Sequence, residues 1–82
     1  MNKHMNQLIG QLHDAIADQQ KSPEVARLMR DMDMHIKQWD AKNNQSDMAL
    51  TIDHLLAELE VNHPQSVAIA RKMVDVLASM GV

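Results

Sequence analysis

The stretch from residue 64 to residue 82 constrains the fold most, because its apolar residues cover too much of a helix for an exposed position. At about 100° per residue they occupy roughly 200° of the helix circumference, about twice the apolar stripe of an ordinary surface helix. These residues are Val67, Ile69, Ala70, Met73, Val74, Val76, Leu77, Ala78 and Met80. Such a helix must be covered on nearly two sides, by other helices of the chain or by a second copy. The pattern therefore predicts an all-α protein built on helix packing.

Three further helices are predicted before this one, because apolar residues recur at steps of three and four in three earlier segments of the chain. With the last helix, the predicted segments are near 3–19, 23–42, 47–61 and 64–80. The inward faces are predicted to be Met5, Leu8, Ile9, Leu12, Ala15 and Ile16; then Val25, Leu28, Met29, Met32, Ile36 and Trp39; then Met48, Ile52, Leu55, Leu56 and Leu59. We expect two consecutive antiparallel helical hairpins that form a bundle.

Local signals mark the connections between these helices. Ser22 is a typical N-cap residue, Pro23 suits the first helical position, and Glu24 suits the positive end of the helix dipole. The short connection before Ser22 predicts an antiparallel hairpin from the first two helices. His63 and Pro64 begin the last helix, because the residue before a proline disfavours the helical conformation. Gly81 is predicted to end that helix as its C′ residue.

A polar connection at residues 42–46 separates a hairpin at 1–42 from a hairpin at 47–82 within one domain of 82 residues. Ser46 and Asp47 are predicted to supply the N-cap and the acidic first turn of the third helix. Asn is only a modest helix breaker, so the alternative is one long rod through Asn43 and Asn44.

Size and composition favour self-association. A domain this small buries only roughly 60–65% of the surface that its unfolded chain exposes, so added stabilisation is expected. The chain has no cysteine, and Trp39 is its only Phe, Trp or Tyr residue. Disulfides and thiolate zinc sites are therefore excluded, and we predict a homo-oligomer.

The charge distribution argues against nucleic acids and membranes. Residues 1–42 contain six Lys or Arg and six Asp or Glu, whereas residues 43–82 contain two and five. Nucleic-acid binding draws on clustered basic residues. The basic residues that lie closest to forming a cluster are Arg27, Arg30, Lys37 and Lys42, and acidic residues interrupt them at Asp31, Asp33 and Asp40. No apolar run has the length of a signal peptide or a membrane span, so a cytoplasmic protein is expected.

The broad face of the last helix supplies the candidate interface with a second copy or with another protein. Its candidate residues, with one from the second helix, are Val67, Ile69, Met73, Val76, Leu77, Met80 and Met34. Met29 and Met32 lie on the apolar stripe of the second helix, whereas Met34 points roughly opposite. The three sulfurs therefore cannot reach one ion, and Met34 is predicted to be exposed or to face a partner.

A metal site is the alternative use of the polar residues. Glu60 and His63 have the Glu-x-x-His spacing of di-metal bundle sites, and His54 has Glu58 one turn away. The simpler interpretation is that His63 closes a corner and that His54 and Glu58 form a solvated flank. A di-metal site needs two such motifs and further carboxylates, and the chain has one motif. No cofactor is predicted.

Catalysis is not predicted either. The sequence has no arrangement typical of a Ser/His/Asp or Cys/His nucleophile, and its two glycines, Gly10 and Gly81, cannot form a phosphate-binding loop. His13 lies at the edge of the first apolar stripe, where a half-buried structural histidine is expected.

Three motifs resemble a family of short bacterial proteins known only as a domain of unknown function. They are the Leu-His pair at Leu12 and His13, the junction from Leu59 to Pro64, and the ending Leu-Ala-Ser-Met-Gly-Val from Leu77. The family pattern has Glu-x-x-x-His-Pro at the junction, whereas Glu60 here lies three positions before His63. The resemblance implies an all-helical fold and no known activity.

We therefore expect a non-catalytic helical interaction or oligomerisation protein. The alternative is a small metal- or pH-responsive regulator that uses the His and carboxylate groups of the third helix and its junction.

Overall fold

The computed structural model describes residues 3–39 and 45–81, which form four α-helices and one 3-10 turn and include no strand. In chain order these elements are α1 (Lys3–Ile16), α2 (Pro23–Lys37), α3 (Gln45–Asn62), the 3-10 turn Pro64–Ser66 and α4 (Val67–Ser79). The predicted all-α fold with four helices is confirmed.

The first connection is built as the sequence predicts. The backbone N–H of Val25 donates to the Ser22 Oγ at 3.1 Å, so Ser22 is the N-cap of α2. Pro23 is the first helical residue and Glu24 lies in the first turn. Helix α1 ends at Ile16 rather than near residue 19, because the chain turns there and the Gln19 N–H donates to the Ile16 carbonyl at 3.1 Å.

The second connection differs from the prediction at both of its edges. Helix α2 ends at Lys37 with Gln38 as its C-cap, five residues before the predicted end. Gln45 is already helical, so Ser46 lies inside α3 and the predicted N-cap there is wrong. Most of the predicted connection at 42–46 lies outside the described residues. Because α2 packs along α3, the two helices do not form one continuous rod.

The junction before α4 is a sharp corner. Helix α3 runs to Asn62, and His63 leaves the helical conformation with φ −143° and ψ 65°. The 3-10 turn then leads directly into α4, so the predicted helix start at Pro64 is a 3-10 start and the α-helix begins at Val67. Gly81 has φ +84°, the left-handed conformation expected of a C′ glycine.

Helix α4 lies between α1 and α3, and α2 packs on the other side of α3. Helices α1 and α2 share few close backbone approaches, although a short connection joins them. Within the described ranges, the shared core contains eighteen apolar residues: Met5, Leu8, Ile9, Leu12, Ile16, Val25, Leu28, Met29, Met32, Ile36, Trp39, Met48, Ile52, Leu55, Leu59, Ala70, Met73 and Leu77. The fold therefore depends on contacts between the two hairpins as much as on contacts within them.

Candidate functional site

The predicted interface on α4 is largely used by the chain itself. Met73 and Leu77 are 0% and 3% exposed, which places them in the core and removes them from a candidate interface. Val67, Ile69 and Val76 are half-buried and pack against that core. Of the predicted α4 interface residues, Met80 is exposed.

The position of α4 explains why its apolar face is so wide. Val76 lines a depression between α4 and α1 together with His4. Val74 lines another between α4 and α3 together with Leu56. A helix with neighbours on two sides buries a broader stripe than a helix with one neighbour. Other helices of the same chain therefore cover the face that suggested a second copy.

Exposed apolar side chains lie instead on the outer faces of α2 and α3. Met34 on α2 is 46% exposed, and Leu50 and Val61 on α3 are 60% and 79% exposed. With about 100° per residue, Leu50, Ala57 and Val61 fall within roughly 40° of one another and form a stripe opposite the buried face of α3. We call the exposed surface formed by Leu50, Ala57 and Val61 the α3 stripe.

The helical pattern of the sequence predicted that Met34 is exposed or faces a partner, and Met34 is exposed. The same pattern did not predict the α3 stripe. The inward residues of α3 already gave a complete helical pattern, and Leu50 and Val61 were left outside it. The available signal was the presence of apolar residues on both sides of this helix, which is typical of a helix with a second apolar contact.

Helix α3 is also the acidic element of the chain. Between Gln45 and Asn62 it has four carboxylates and no Lys or Arg: Asp47, Asp53, Glu58 and Glu60. Asp53 and Glu60 lie beside the α3 stripe on the side that faces α4. Glu60 is 3.5 Å from the Arg71 guanidinium, an exposed ion pair of the kind that contributes little. The α3 stripe therefore has acidic groups along one edge.

The outer face of α2 is basic around its exposed methionine. Arg30, Met34 and Lys37 are all exposed and fall within roughly 60° on the helix surface. We call these three residues the α2 stripe. They line a shallow depression that Asp33 and Gln38 complete.

Arg27, one turn before Arg30, is engaged within its own helix. It donates to Asp31 at 3.0 Å and to Glu24. The hydrogen bond from Arg27 holds the pKa of Glu24 below its usual value. Arg30 and Lys37 are therefore the basic groups that the α2 stripe can offer to a partner.

The four predicted metal ligands are not brought together. His54 is exposed, Glu58 is half-buried and His63 is buried. His54 and His63 are nine positions apart, which corresponds to about 13 Å along a helix axis. Glu60 faces Arg71. Within residues 3–39 and 45–81, no group of three His, Cys, Asp or Glu residues could hold a metal ion. Thr51, one turn before His54 on the same helix, is buried.

His63 closes the corner between α3 and α4. The side chain is 4% exposed, and its Nδ1 is hydrogen-bonded to the Gln19 Oε1 in the α1–α2 connection. The Gln19 amide nitrogen donates to the Ala15 carbonyl at 3.3 Å, which leaves the Gln19 oxygen to accept from His63. This bond holds the two hairpin connections together at one end of the bundle.

Two buried polar atoms of this corner, the His63 Nε2 and the Ser66 Oγ, have no hydrogen-bond partner among the residues that the structure describes. A buried polar atom without a partner costs free energy, so these two atoms offset part of the stabilisation that the bond between Gln19 and His63 contributes.

His13 joins α1 to α2. Its Nε2 lies 2.9 Å from one carboxylate oxygen of Asp33 and 3.1 Å from the other. The side chain is half-buried, as the sequence predicted for a structural histidine. This contact links two helices whose backbones are otherwise not closely packed.

The model of a protein family described as a domain of unknown function, DUF4404, matches residues 1–82. The chain belongs to this family. The resemblance to a small all-helical family of unknown function is thereby confirmed for the family and the fold. No curated protein and no solved structure matches the chain.

The described helices of this DUF4404 protein include none that is long and apolar enough to cross a membrane. Its histidines at positions 13 and 63 have structural partners, and its depressions are shallow. Among the described residues, the α2 stripe and the α3 stripe are exposed surfaces that include large apolar side chains. Both are surfaces suited to contact with another helix.

Proposed function

We propose that this DUF4404 protein is a non-catalytic helical interaction protein that assembles with itself through the outer faces of α2 and α3. The observation that carries the proposal is the alignment of exposed apolar side chains along these two helices. Leu50 and Val61 are the most exposed large apolar residues described, and Met34 lies on the adjacent helix. Exposed apolar groups in a row favour contact with another apolar surface.

The size of the domain supports self-association. A chain of 82 residues with no cysteine gains neither a large core nor disulfides. Assembly adds buried apolar area, and binding to the folded state stabilises it by mass action.

A contact with another protein through the last helix has less support. Val67, Ile69 and Val76 pack against the core of the same chain, so a partner would have to compete with that packing. The alternative of a metal- or pH-responsive regulator also has less support, because the predicted ligand His54 lies within α3 and the predicted ligand His63 lies nine positions later, in the corner that follows α3. The compartment that we propose is the bacterial cytoplasm.

The experiment is the solution mass measured by light scattering on a sizing column over a hundredfold range of protein concentration. We expect a species of at least twice the chain mass of 9.3 kDa that dissociates on dilution. A monomer throughout the concentration range would contradict the proposal.

A further inference from the structure

We propose that, in the assembly, the α2 stripe of one copy packs antiparallel on the α3 stripe of the other copy, with Arg30 facing Glu60 and Lys37 facing Asp53. This inference rests on the proposed function and specifies its interface. It makes the second copy of the chain the partner of the acidic helix.

The spacing of the charges supports this pairing. Arg30 and Lys37 are seven residues apart on α2, and Asp53 and Glu60 are seven residues apart on α3. Seven residues are about two helical turns, or about 10.5 Å, so each pair lies on one side of its helix. In an antiparallel pairing of equal spacing, both basic groups meet an acidic group in the same register.

The same register places Met34 against Ala57. Met34 lies between Arg30 and Lys37, and Ala57 lies between Asp53 and Glu60. A flexible methionine opposite a small residue can fill the space between two helices, with Leu50 and Val61 on either side of it. The apolar and charged contacts therefore agree on one alignment.

Helices α2 and α3 pack side by side within the chain. A two-fold axis parallel to them would place α2 of each copy on α3 of the other, so that the same contact forms twice. Two-fold symmetry of this kind closes the assembly at a dimer.

Charge disfavours the other pairings of these helices. Two copies of α3 would bring acidic edges together without any Lys or Arg on either helix. Two copies of the α2 stripe would bring Arg30 and Lys37 close to their own equivalents. Like charges across an interface suppress wrong pairings.

The experiment is an exchange of charge between the two stripes. One variant carries Arg30→Glu and Lys37→Glu, and the other carries Asp53→Lys and Glu60→Lys. Each variant alone then has two stripes of the same sign. We expect each to remain monomeric at concentrations where the parent is a dimer, with at least a tenfold weaker self-association. An equimolar mixture is expected to form a dimer, because acidic and basic stripes face each other again.

Matched controls change the net charge by the same amount on α1 and its connection. Lys3→Glu with Lys21→Glu matches the first variant, and Asp14→Lys with Asp18→Lys matches the second. All four positions are exposed. The controls are expected to dimerise like the parent, and circular dichroism checks that every variant keeps its helicity.

The outcomes separate this inference from the proposed function. If the parent self-associates and both stripe variants do so equally well, the pairing is wrong and the proposed function stands. If both variants are monomeric and their mixture stays monomeric, these two stripes do not face each other. If the parent itself is monomeric at every concentration, the proposed function fails together with the pairing.

Discussion

A side-chain hydrogen bond at the corner between α3 and α4 connects the two hairpins. Gln19 and His63 are 44 positions apart in the chain, and their side-chain hydrogen bond joins the α1–α2 connection to the α3–α4 corner. The His63 Nε2, on the other side of the ring, is buried without a partner among the described residues. The corner thus combines one well-placed hydrogen bond with two unsatisfied atoms.

Gln19→Ala is expected to lower the free energy of unfolding by about 1–3 kcal/mol, because it leaves the buried His63 Nδ1 without its partner. The measurement is chemical denaturation at neutral pH. Gln20→Ala is the control, since Gln20 is exposed, and its effect should stay within about 0.5 kcal/mol. Equal effects of the two substitutions would show that the bond to His63 does not stabilise the fold.

Ser66→Ala is expected to leave the stability unchanged or to raise it by up to about 1 kcal/mol, because it removes a buried hydroxyl without a partner. Ser22→Ala provides the contrast: it removes the N-cap of α2 and should cost about 1 kcal/mol. The same denaturation measurement compares both variants. A loss for Ser66→Ala as large as that for Ser22→Ala would mean that the Ser66 hydroxyl is satisfied in solution.

Among the helices, the apolar pattern predicted which side of each one is buried but not what covers it. The width of the apolar face on α4 correctly indicated cover on two sides, and α1 and α3 provide it. A helical pattern reports how much surface is buried, and it contains no information on whether the neighbour belongs to the same chain. The α3 stripe was missed for the related reason that Leu50 and Val61 fall outside an inward pattern that was already complete.

Contacts between residues that are distant in the sequence could not be predicted. The N-cap at Ser22 and the C′ glycine at Gly81 were predictable because their signals are local. The hydrogen bond between Gln19 and His63 joins two connections and depends on the packing of the whole bundle.

Substitution of one exposed apolar residue on α3 and one half-buried apolar residue on α4 tests which of the two helix faces forms the interface. Leu50→Gln is expected to lower the assembled mass and to change the unfolding free energy of dilute protein by no more than about 0.5 kcal/mol. Val76→Gln should instead lower that free energy by about 1–2 kcal/mol, because Val76 packs against the core. Light scattering and denaturation together separate the two effects. The reverse result would place the interface on α4.

The whole molecule has an uneven charge distribution, and we expect its acidic and basic surfaces to face each other in the assembly. Helix α3 is purely acidic in its charged residues apart from His54, and the exposed stripe of α2 beside it is basic. Exposed ion pairs weaken as salt screens them, so the stability of the dimer should depend on ionic strength.

Raising the sodium chloride concentration from about 0.1 M to about 1 M shortens the Debye length from roughly 10 Å to 3 Å. We expect the dissociation constant of the dimer to rise several-fold, as measured by sedimentation or light scattering. A variant with Asp53→Asn and Glu60→Gln should associate more weakly at low salt and respond less to added salt. A parent dimer that is insensitive to salt would indicate an interface held by apolar contacts alone.

The central position of α4 also determines the order in which the molecule can be completed during synthesis. The ribosome makes α1, α2 and α3 before α4, the helix that packs between α1 and α3. Isolated helices of this length are marginal in water, and α1 has little backbone contact with α2. We therefore expect the apolar faces of α1 and α3 in the nascent chain to stay uncovered until Met73 and Leu77 emerge with α4.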